Sequence, residues 1–383
     1  MKKFDIPLIF VTCVLVAFGM VMVYSASGFL AAEESNNPYH YVERQGLAVA
    51  LGLTCLLVGA STPYRRLIKL APSLYGAALA ALVAVWVPGL GHAANGAQRW
   101  FHIAGMNFQP AELAKLVVLI CFATWLDRNR GAIHDVRNVL LPAAVGLALP
   151  LGCIILQPDF GSTAIICVLS CVMLFLAGLR WSWILSVVGG GAALLAVVML
   201  AEPYRRARIT SFMDPFADCS GPGYQVCQSL LALNHGGLGG QGLGLGKAKL
   251  LYLPEPHNDF IAAVIGEELG LWGVILLLLL FGLFAWRGFS IARRAPDLFG
   301  GLLAGTFTVM IVGQACLNLG VVMSVVPPKG LVLPFMSYGA SAMMVNLAAV
   351  GILLSVSAAT EEAAEKGAKG APAMIPTITG VTA

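Results

Sequence analysis

Five acids, Glu112, Asp159, Asp259, Glu267 and Glu268, stand at or inside stretches that are otherwise apolar. An isolated charge at the centre of a membrane helix costs roughly 2.5–3.5 kcal/mol, so an acid there is a functional hypothesis by default. Asp259 has the most specific setting. In "LYLPEPHNDFIAAVIGEELG" (251–270) it follows Glu255 and His257 and stands at the head of an apolar run. A carboxylate partly withdrawn from water has a raised pKa and can take a hydroxyl proton near neutral pH, the work of a general base. The competing use of Asp at such a position is a helix N-cap. Glu112 and Lys115 in "QPAELAKLVVL" share one helix face and can pair, as a structural ion pair or as support for a polar cavity. Asp159 in "LQPDFGSTA" reads as an N-cap as readily as a site residue. Glu267 lies about 12 Å along a helix from Asp259 at about 1.5 Å per residue. That is too far for direct partnership, so it reads as a packing or supporting residue.

The cations Arg205, Arg206, Arg208, Lys247 and Lys249 fall in one long segment, 202–258, that ends at Asp259. Taken singly each is a solvated surface charge; gathered beside a carboxylate base they suit phosphate-linked chemistry. The run "GGLGGQGLGLGK" does not have phosphate-loop spacing. Gln241 stands where that pattern needs glycine, and Ala248 follows the lysine where it needs Ser or Thr. What remains is a backbone able to pass close to another segment. Six scattered histidines lack zinc-ligand spacing. Seven of the nine cysteines fall in apolar spans, while Cys219 and Cys227 share the long segment and can pair if the compartment is oxidising.

The elements that must position these groups are membrane helices. Of 383 residues, 58% are hydrophobic and 11% charged, too little charge to cover a soluble domain of this size. Runs of about 18 or more apolar residues recur, each enough to cross a hydrocarbon core of about 30 Å. The expected fold is an all-α polytopic membrane protein of about ten helices, at 6–24, 45–60, 70–87, 110–126, 139–156, 162–178, 182–201, 260–284, 299–325 and 334–358. The first run has a longer apolar core than a secretory signal and reads as a retained anchor. Lys and Arg concentrate on the side holding both termini, which the positive-inside rule makes cytoplasmic. Residues 1–358 then form a single transmembrane domain, with the large extracytoplasmic loop 202–258 between helices seven and eight. Residues 359–383 are expected to be a short, disordered cytoplasmic tail. The net charge of +4 is distributed by topology, so nucleic acid is not expected as a partner.

The blocks "GMVMVYSAS" (19–27), "NGAQRWFHIAGMNFQPAELAKL" (95–116), "QPDFGSTA" (157–164), "RITSFMDPFAD" with "GYQVCQSLLAL" (208–233), "GGLGGQGLGLGKAK" (236–249), "LPEPHNDF" with "GEELG" (253–270) and "PPKGLVLPFMSYGAS" (327–341) resemble the SEDS (FtsW/RodA) family in order along almost the whole chain. Members are integral-membrane peptidoglycan glycosyltransferases of bacterial division and elongation. "VMVYSAS", "PGLGHAANGAQRW" and "LYLPEPHNDF" are more like the division branch. The resemblance implies polymerisation of lipid II, a disaccharide-pentapeptide on undecaprenyl pyrophosphate, at the outer face of the bacterial inner membrane, with a role in the septal wall. Asp259 matches the family's essential aspartate and would deprotonate the acceptor hydroxyl. Trp100, Glu112, Lys115 and Asp159 match its other important positions; Glu255 and His257, beside Asp259 in the chain, read as supporting groups, with packing the other use of His257. Arg205, Arg208, Lys247 and Lys329 would hold the leaving pyrophosphate, with Mg2+ or Mn2+ able to share that task. No tightly bound cofactor is implied. The expected partners are lipid II, membrane lipids, a class B penicillin-binding transpeptidase and other division or elongation proteins. An elongation role and a lipid II flippase are the alternative readings. Asn258 for threonine and Ala340 for glycine depart from the family pattern.

Overall fold

Apolar residues on every side of a run leave a helix no polar face, so it must be buried in protein or in lipid. The computed structural model describes residues 3–94, 97–103, 105–186, 189–191, 216, 219, 221, 223–250, 252–327 and 330–370. Its helices are α1 (Ile6–Ser35), α2 (His40–Ser61), α3 (Arg66–Ala84), α4 (Pro110–Arg128), α5 (Leu141–Leu156), α6 (Phe160–Leu176), α7 (Tyr224–Gly236), α8 (Ile261–Arg294), α9 (Leu298–Val322) and α10 (Ala340–Gly370). Helices stand at nine of the ten expected spans; of the remaining one, 182–186 and 189–191 are helical, and 187–188 and 192–201 lie outside the described residues. Among the described residues seven helices are long and apolar enough to cross a membrane, and α6 is a shorter apolar one. The chain is a multi-pass membrane protein.

The centre of the bundle is α9 and α10, whose apolar windows are 72% and 83% buried. Leu303, Phe307 and Ile311 of α9 meet Leu119 and Ala123 of α4, Phe284 of α8 and Val350 and Leu353 of α10 in one core. Polar caps pin the helix ends away from Asp259. Asp5 caps α1 by accepting from Leu8 N at 3.0 Å and pairs with Arg287 of α8. Asp297 caps α9 through Gly300 N at 2.8 Å and accepts from the Tyr64 hydroxyl at 2.8 Å and Arg65 Nε at 2.7 Å.

The structure amends the sequence reading at several points. The connection after α3 carries an antiparallel sheet, β1 (Gly91–Ala94), β2 (Ala97–Ile103) and β3 (Met106–Phe108), in that order, so the fold is not wholly helical. Its strands are too short to show a clear alternation of polar and apolar residues. The tail beyond 358 is not disordered throughout, because α10 runs on to Gly370. Its Ala, Glu and Lys content favours helix, and an existing helix extends without a new nucleus. The long loop also has structure: α7 docks on α8 and α9, Ser229 Oγ donates to Val322 O at 2.5 Å, and a disulfide joins Cys219 to Cys227.

A further amendment concerns the acids Glu267 and Glu268. Helix α8 breaks at Gly270, where φ is 64° and ψ −159°, a conformation open to glycine but strained for residues with a β-carbon. The break frees backbone groups, and the glycine-rich run takes them up. Gln241 N donates to Glu267 O at 2.9 Å, Gly242 N to Glu268 O at 3.0 Å, and Leu271 N to Gly237 O at 3.0 Å. Residues 261–268 are buried in protein. Beyond the kink, Leu271, Trp272, Leu276, Leu278, Leu279 and Trp286 are exposed, and the stretch from Leu271 to Arg293 is about 33 Å long at about 1.5 Å per residue, enough to cross the hydrocarbon core. The exposed apolar face of α8 thus lies beyond the kink, and the two glutamates before it are covered by protein rather than by lipid.

The contact is close enough to test. A β-carbon on Gly240, at φ 76°, would stand 2.2 Å from Glu268 O. Gly240→Ala is therefore expected to cost about 1–3 kcal/mol through overpacking. Thermal unfolding in detergent reads this as a lower midpoint; an unchanged midpoint would mean that the run does not dock here.

Candidate active site

Asp259 stands two residues before α8 but does not cap it. The N-cap is Phe260, and no side chain makes a capping hydrogen bond there. Asp259 is fixed through its main chain instead. Asn318 Nδ2 of α9 donates to Asp259 O at 2.7 Å and to Leu331 O at 2.5 Å, tying the turn to the segment after Lys329. Ser337 extends the tie by donating to Asn258 O at 2.6 Å and accepting from Leu333 N at 2.7 Å. Tyr338 N donates to His257 O at 2.8 Å. Gln45 of α2 completes the frame, its Nε2 donating to Ser337 O at 3.1 Å and its Oε1 accepting from Gly339 N at 3.3 Å.

With its backbone held this way, the carboxylate lies against Gly330: a β-carbon there would be 2.9 Å from Oδ2. Among the described residues no donor hydrogen-bonds that carboxylate. Burial, with a smaller contribution from the Glu255 charge, pushes its pKa up to about 6. The desolvated group is a better proton acceptor than a free carboxylate and is still ionised at pH 7. His257 differs in kind. Its ring packs 4.5 Å from that of Tyr41 and 5.5 Å from that of Tyr338, and burial pushes its pKa down to about 4. Neutral imidazole in this aromatic slot carries no charge near pH 7. Its Nε2 is 3.8 Å from Glu255 Oε2, beyond hydrogen-bond reach. Glu255 itself is exposed and accepts from Asn258 Nδ2 at 2.5 Å.

Asp159 is a cap. Its Oδ1 accepts from Ser162 N at 3.0 Å, while Oδ2 accepts from Ser162 Oγ at 2.7 Å and Gln109 Nε2 at 2.9 Å. Arg99 of β2 holds the preceding turn, donating to Gln157 O at 2.7 Å and Pro158 O at 2.8 Å. A β-carbon on Gly161 would lie 3.8 Å from Leu331, so the two aspartates flank the same short segment, 330–331. Glu112 and Lys115 pair at 2.8 Å with their side chains 12% and 1% exposed. Gln109, three residues before Glu112, donates its N–H to Ser341 Oγ at 2.7 Å and so joins α4 to the head of α10.

The remaining expected site residues scatter. Trp100 is half-buried on β2 and pairs with His92 across the hairpin. The Lys247 side chain is exposed, and its backbone N–H is the part engaged, donating to Glu267 Oε1 at 3.0 Å. Lys249 is not a surface cation: it is buried and pairs with Glu268 at 2.6 Å. Arg205, Arg208 and Lys329 lie outside the described residues. The frame residues Gln45, Asn318, Ser337 and Tyr338, and Arg44 beside the Tyr338 hydroxyl, were not singled out from the sequence. Their partners are tens to hundreds of residues away, and neutral polar residues in apolar runs give no local signal. Among the described residues no group of three His, Cys, Asp or Glu side chains is placed to hold a metal ion.

Residues 6–362 match the family model for FtsW, RodA and SpoVE, described as cell cycle protein. A probable peptidoglycan glycosyltransferase FtsW of Geobacter metallireducens is 39% identical over 356 residues, 93% of this chain and 95% of that protein. One from Thioalkalivibrio sulfidiphilus, with the same name, is 41% identical, over 94% of this chain and 91% of its own. Among solved structures, a chain from a study of polymerisation and crosslinking by a peptidoglycan synthase complex superposes with a TM-score of 0.77 at 32% identity, covering 94% of this chain and 99% of that one. The rod shape determining protein RodA of Thermus thermophilus gives 0.68 at 31% identity, covering 93% and 97%.

Proposed function

The chain belongs to the FtsW/RodA/SpoVE family, and on that premise we propose that Asp259 is the base with which it polymerises lipid II into glycan strands. The protein is a peptidoglycan glycosyltransferase. The observation that carries the residue assignment is a desolvated carboxylate that caps no helix and has no hydrogen-bond donor among the described residues. In the reaction the acceptor's sugar hydroxyl attacks the anomeric carbon of the donor. The bond from that carbon to the pyrophosphate oxygen breaks, Asp259 takes the hydroxyl proton, and undecaprenyl pyrophosphate leaves. The backbone frame from Gln45, Asn318 and Ser337 holds the carboxylate before substrate arrives, so its positioning entropy is already spent in the free protein.

The site opens on the extracytoplasmic side of the inner membrane in this reading, with both termini cytoplasmic and the 202–258 loop outside. The Cys219–Cys227 disulfide supports that orientation, since disulfides persist in oxidising compartments. Arg205, Arg208, Lys247 and Lys329 are the cations assigned to the departing pyrophosphate. Mg2+ or Mn2+ would share the task by neutralising the phosphate oxygens; Glu255, the exposed carboxylate of the turn, fits an ion that keeps most of its ligands from water and phosphate. Septal synthesis is favoured over elongation because the curated relatives carry the FtsW name. The working assembly includes a class B penicillin-binding transpeptidase.

The test is polymer formation from lipid II in liposomes with that transpeptidase present. Glycan polymer is the expected product, and translocation without polymer would assign a flippase instead. The pH profile has a definite sign. The base must be ionised, so the rate is expected to fall about tenfold per unit as pH drops below about 6. His257, held near 4, contributes no step between pH 5 and 8. A rate flat from pH 7 to pH 5 would remove Asp259 as the base.

A further inference from the structure

Three buried titratable side chains, Glu267, Glu268 and Lys249, take no part in the reaction above. Their contacts form one continuous joint. Glu267 accepts from the backbone N–H groups of Lys247 and Ala248, each at 3.0 Å. Glu268 pairs with the Lys249 ammonium at 2.6 Å, and Ser25 of α1 donates to the same carboxylate at 2.7 and 2.6 Å. Lys249 Nζ lies 3.1 Å from Ser25 Oγ as well. The joint thus fastens the end of the glycine-rich run to α8 and to α1 at once.

We propose that Ser25, Lys249, Glu267 and Glu268 form a latch that holds the Asp259 turn in its working position. They are positioning residues, acting through the backbone from Lys247 to Asp259, and the inference rests on Asp259 being the base. The argument is one of tether length. With the latch closed, nine residues lie between the last anchored side chain, Lys249, and Asp259, whose far end the Asn318 and Ser337 bonds hold. Without it the nearest anchor on α8 is the Gly242 N–H, and the tether grows to sixteen residues, its first part rich in glycine. The latched segment folds back beside its anchor, Leu253 N donating to Ala248 O at 2.9 Å. A buried ion pair is a poor source of net stability, and its best-attested use is to fix register. Fixing register is what a base needs, since a displacement of about 1 Å costs on the order of 10²-fold in rate.

The test uses the full chain with its transpeptidase and three variants. Glu267→Ala removes the clamp, and Lys249→Met with Glu268→Leu removes both charges together and leaves none unpaired. Lys249→Arg keeps the pair. The first two are expected to stay folded by thermal unfolding and to exchange amide hydrogens at 247–258 at least tenfold faster. Their kcat on lipid II should fall at least tenfold while KM moves less than threefold, and Lys249→Arg should keep kcat within threefold. Unchanged exchange in both loosening variants would overturn the latch. So would faster exchange with kcat within twofold of the parent, or loss of the folded state in both, which would make the joint merely structural. Asp259→Asn, run alongside, separates the premise: full polymerisation by that variant removes the base assignment and leaves the exchange result standing.

Discussion

Asp259→Asn is expected to lower the rate of glycan polymerisation by about 10²–10⁴-fold, the range for losing a positioned general base. The substitution keeps the size of the side chain and leaves the backbone bonds from Asn318 and Tyr338 untouched, so the turn retains its place. What it removes is the ability to take a proton. It also removes a charge from a poorly solvated position, and the sign of that effect on the fold is calculable. The pKa of Asp259 is raised in the folded protein, so its ionised form costs stability at every pH above the ordinary carboxylate range, most fully above about 6. Asparagine carries no such cost. The variant should therefore unfold at or above the parent's midpoint at pH 7 while making little polymer. Parallel assays of thermal unfolding and polymer yield decide it: a variant that is inactive because it is less stable would not isolate a base, and one that polymerises normally would exclude it.

Glu112→Ala carries the largest expected stability loss. Lys115 has a side chain 1% exposed, and its ammonium is bonded to Glu112 at 2.8 Å. Removing the acid leaves a buried, uncompensated cation, a defect worth about 3–5 kcal/mol. The midpoint of thermal unfolding in detergent should drop accordingly. Replacing the pair together, Glu112→Leu with Lys115→Met, is expected to return the midpoint close to the parent's, because no charge is then left unpaired. Polymerisation by that double variant also distinguishes the two roles the sequence left open. A polymerising double variant makes the pair structural; a stable one that makes no polymer gives the pair a role at the site. If the double variant were as unstable as the single one, charge compensation would not be what the pair supplies.

Whatever depends on neighbours in the chain is legible in its order of residues. Hydrocarbon forbids unpaired backbone, so long apolar runs are helices; the starts of nine runs fall within six residues of the helices, while α1, α8 and α10 continue ten or more residues past the expected ends because a helix can extend beyond its apolar stretch. The pairing of Glu112 with Lys115 follows from three residues of separation on one helix, and the cap at Asp159 from its place before one. Asp259 was legible as an acid in an unusual setting, but a cap and a base look alike in sequence. The tertiary structure separated them, because only a folded chain shows Asp159 bonded to its own helix and Asp259 bonded to nothing through its carboxylate among the described residues. It also decided the two adjacent glutamates. Their reason is a kink at Gly270 and a loop arriving from some twenty residues upstream, with Ser25 more than two hundred residues away. A charge buried in protein and a charge exposed at a surface are spelled with the same letters; what distinguishes Lys249 from Lys247 is the partner, and partners at long range are set by packing.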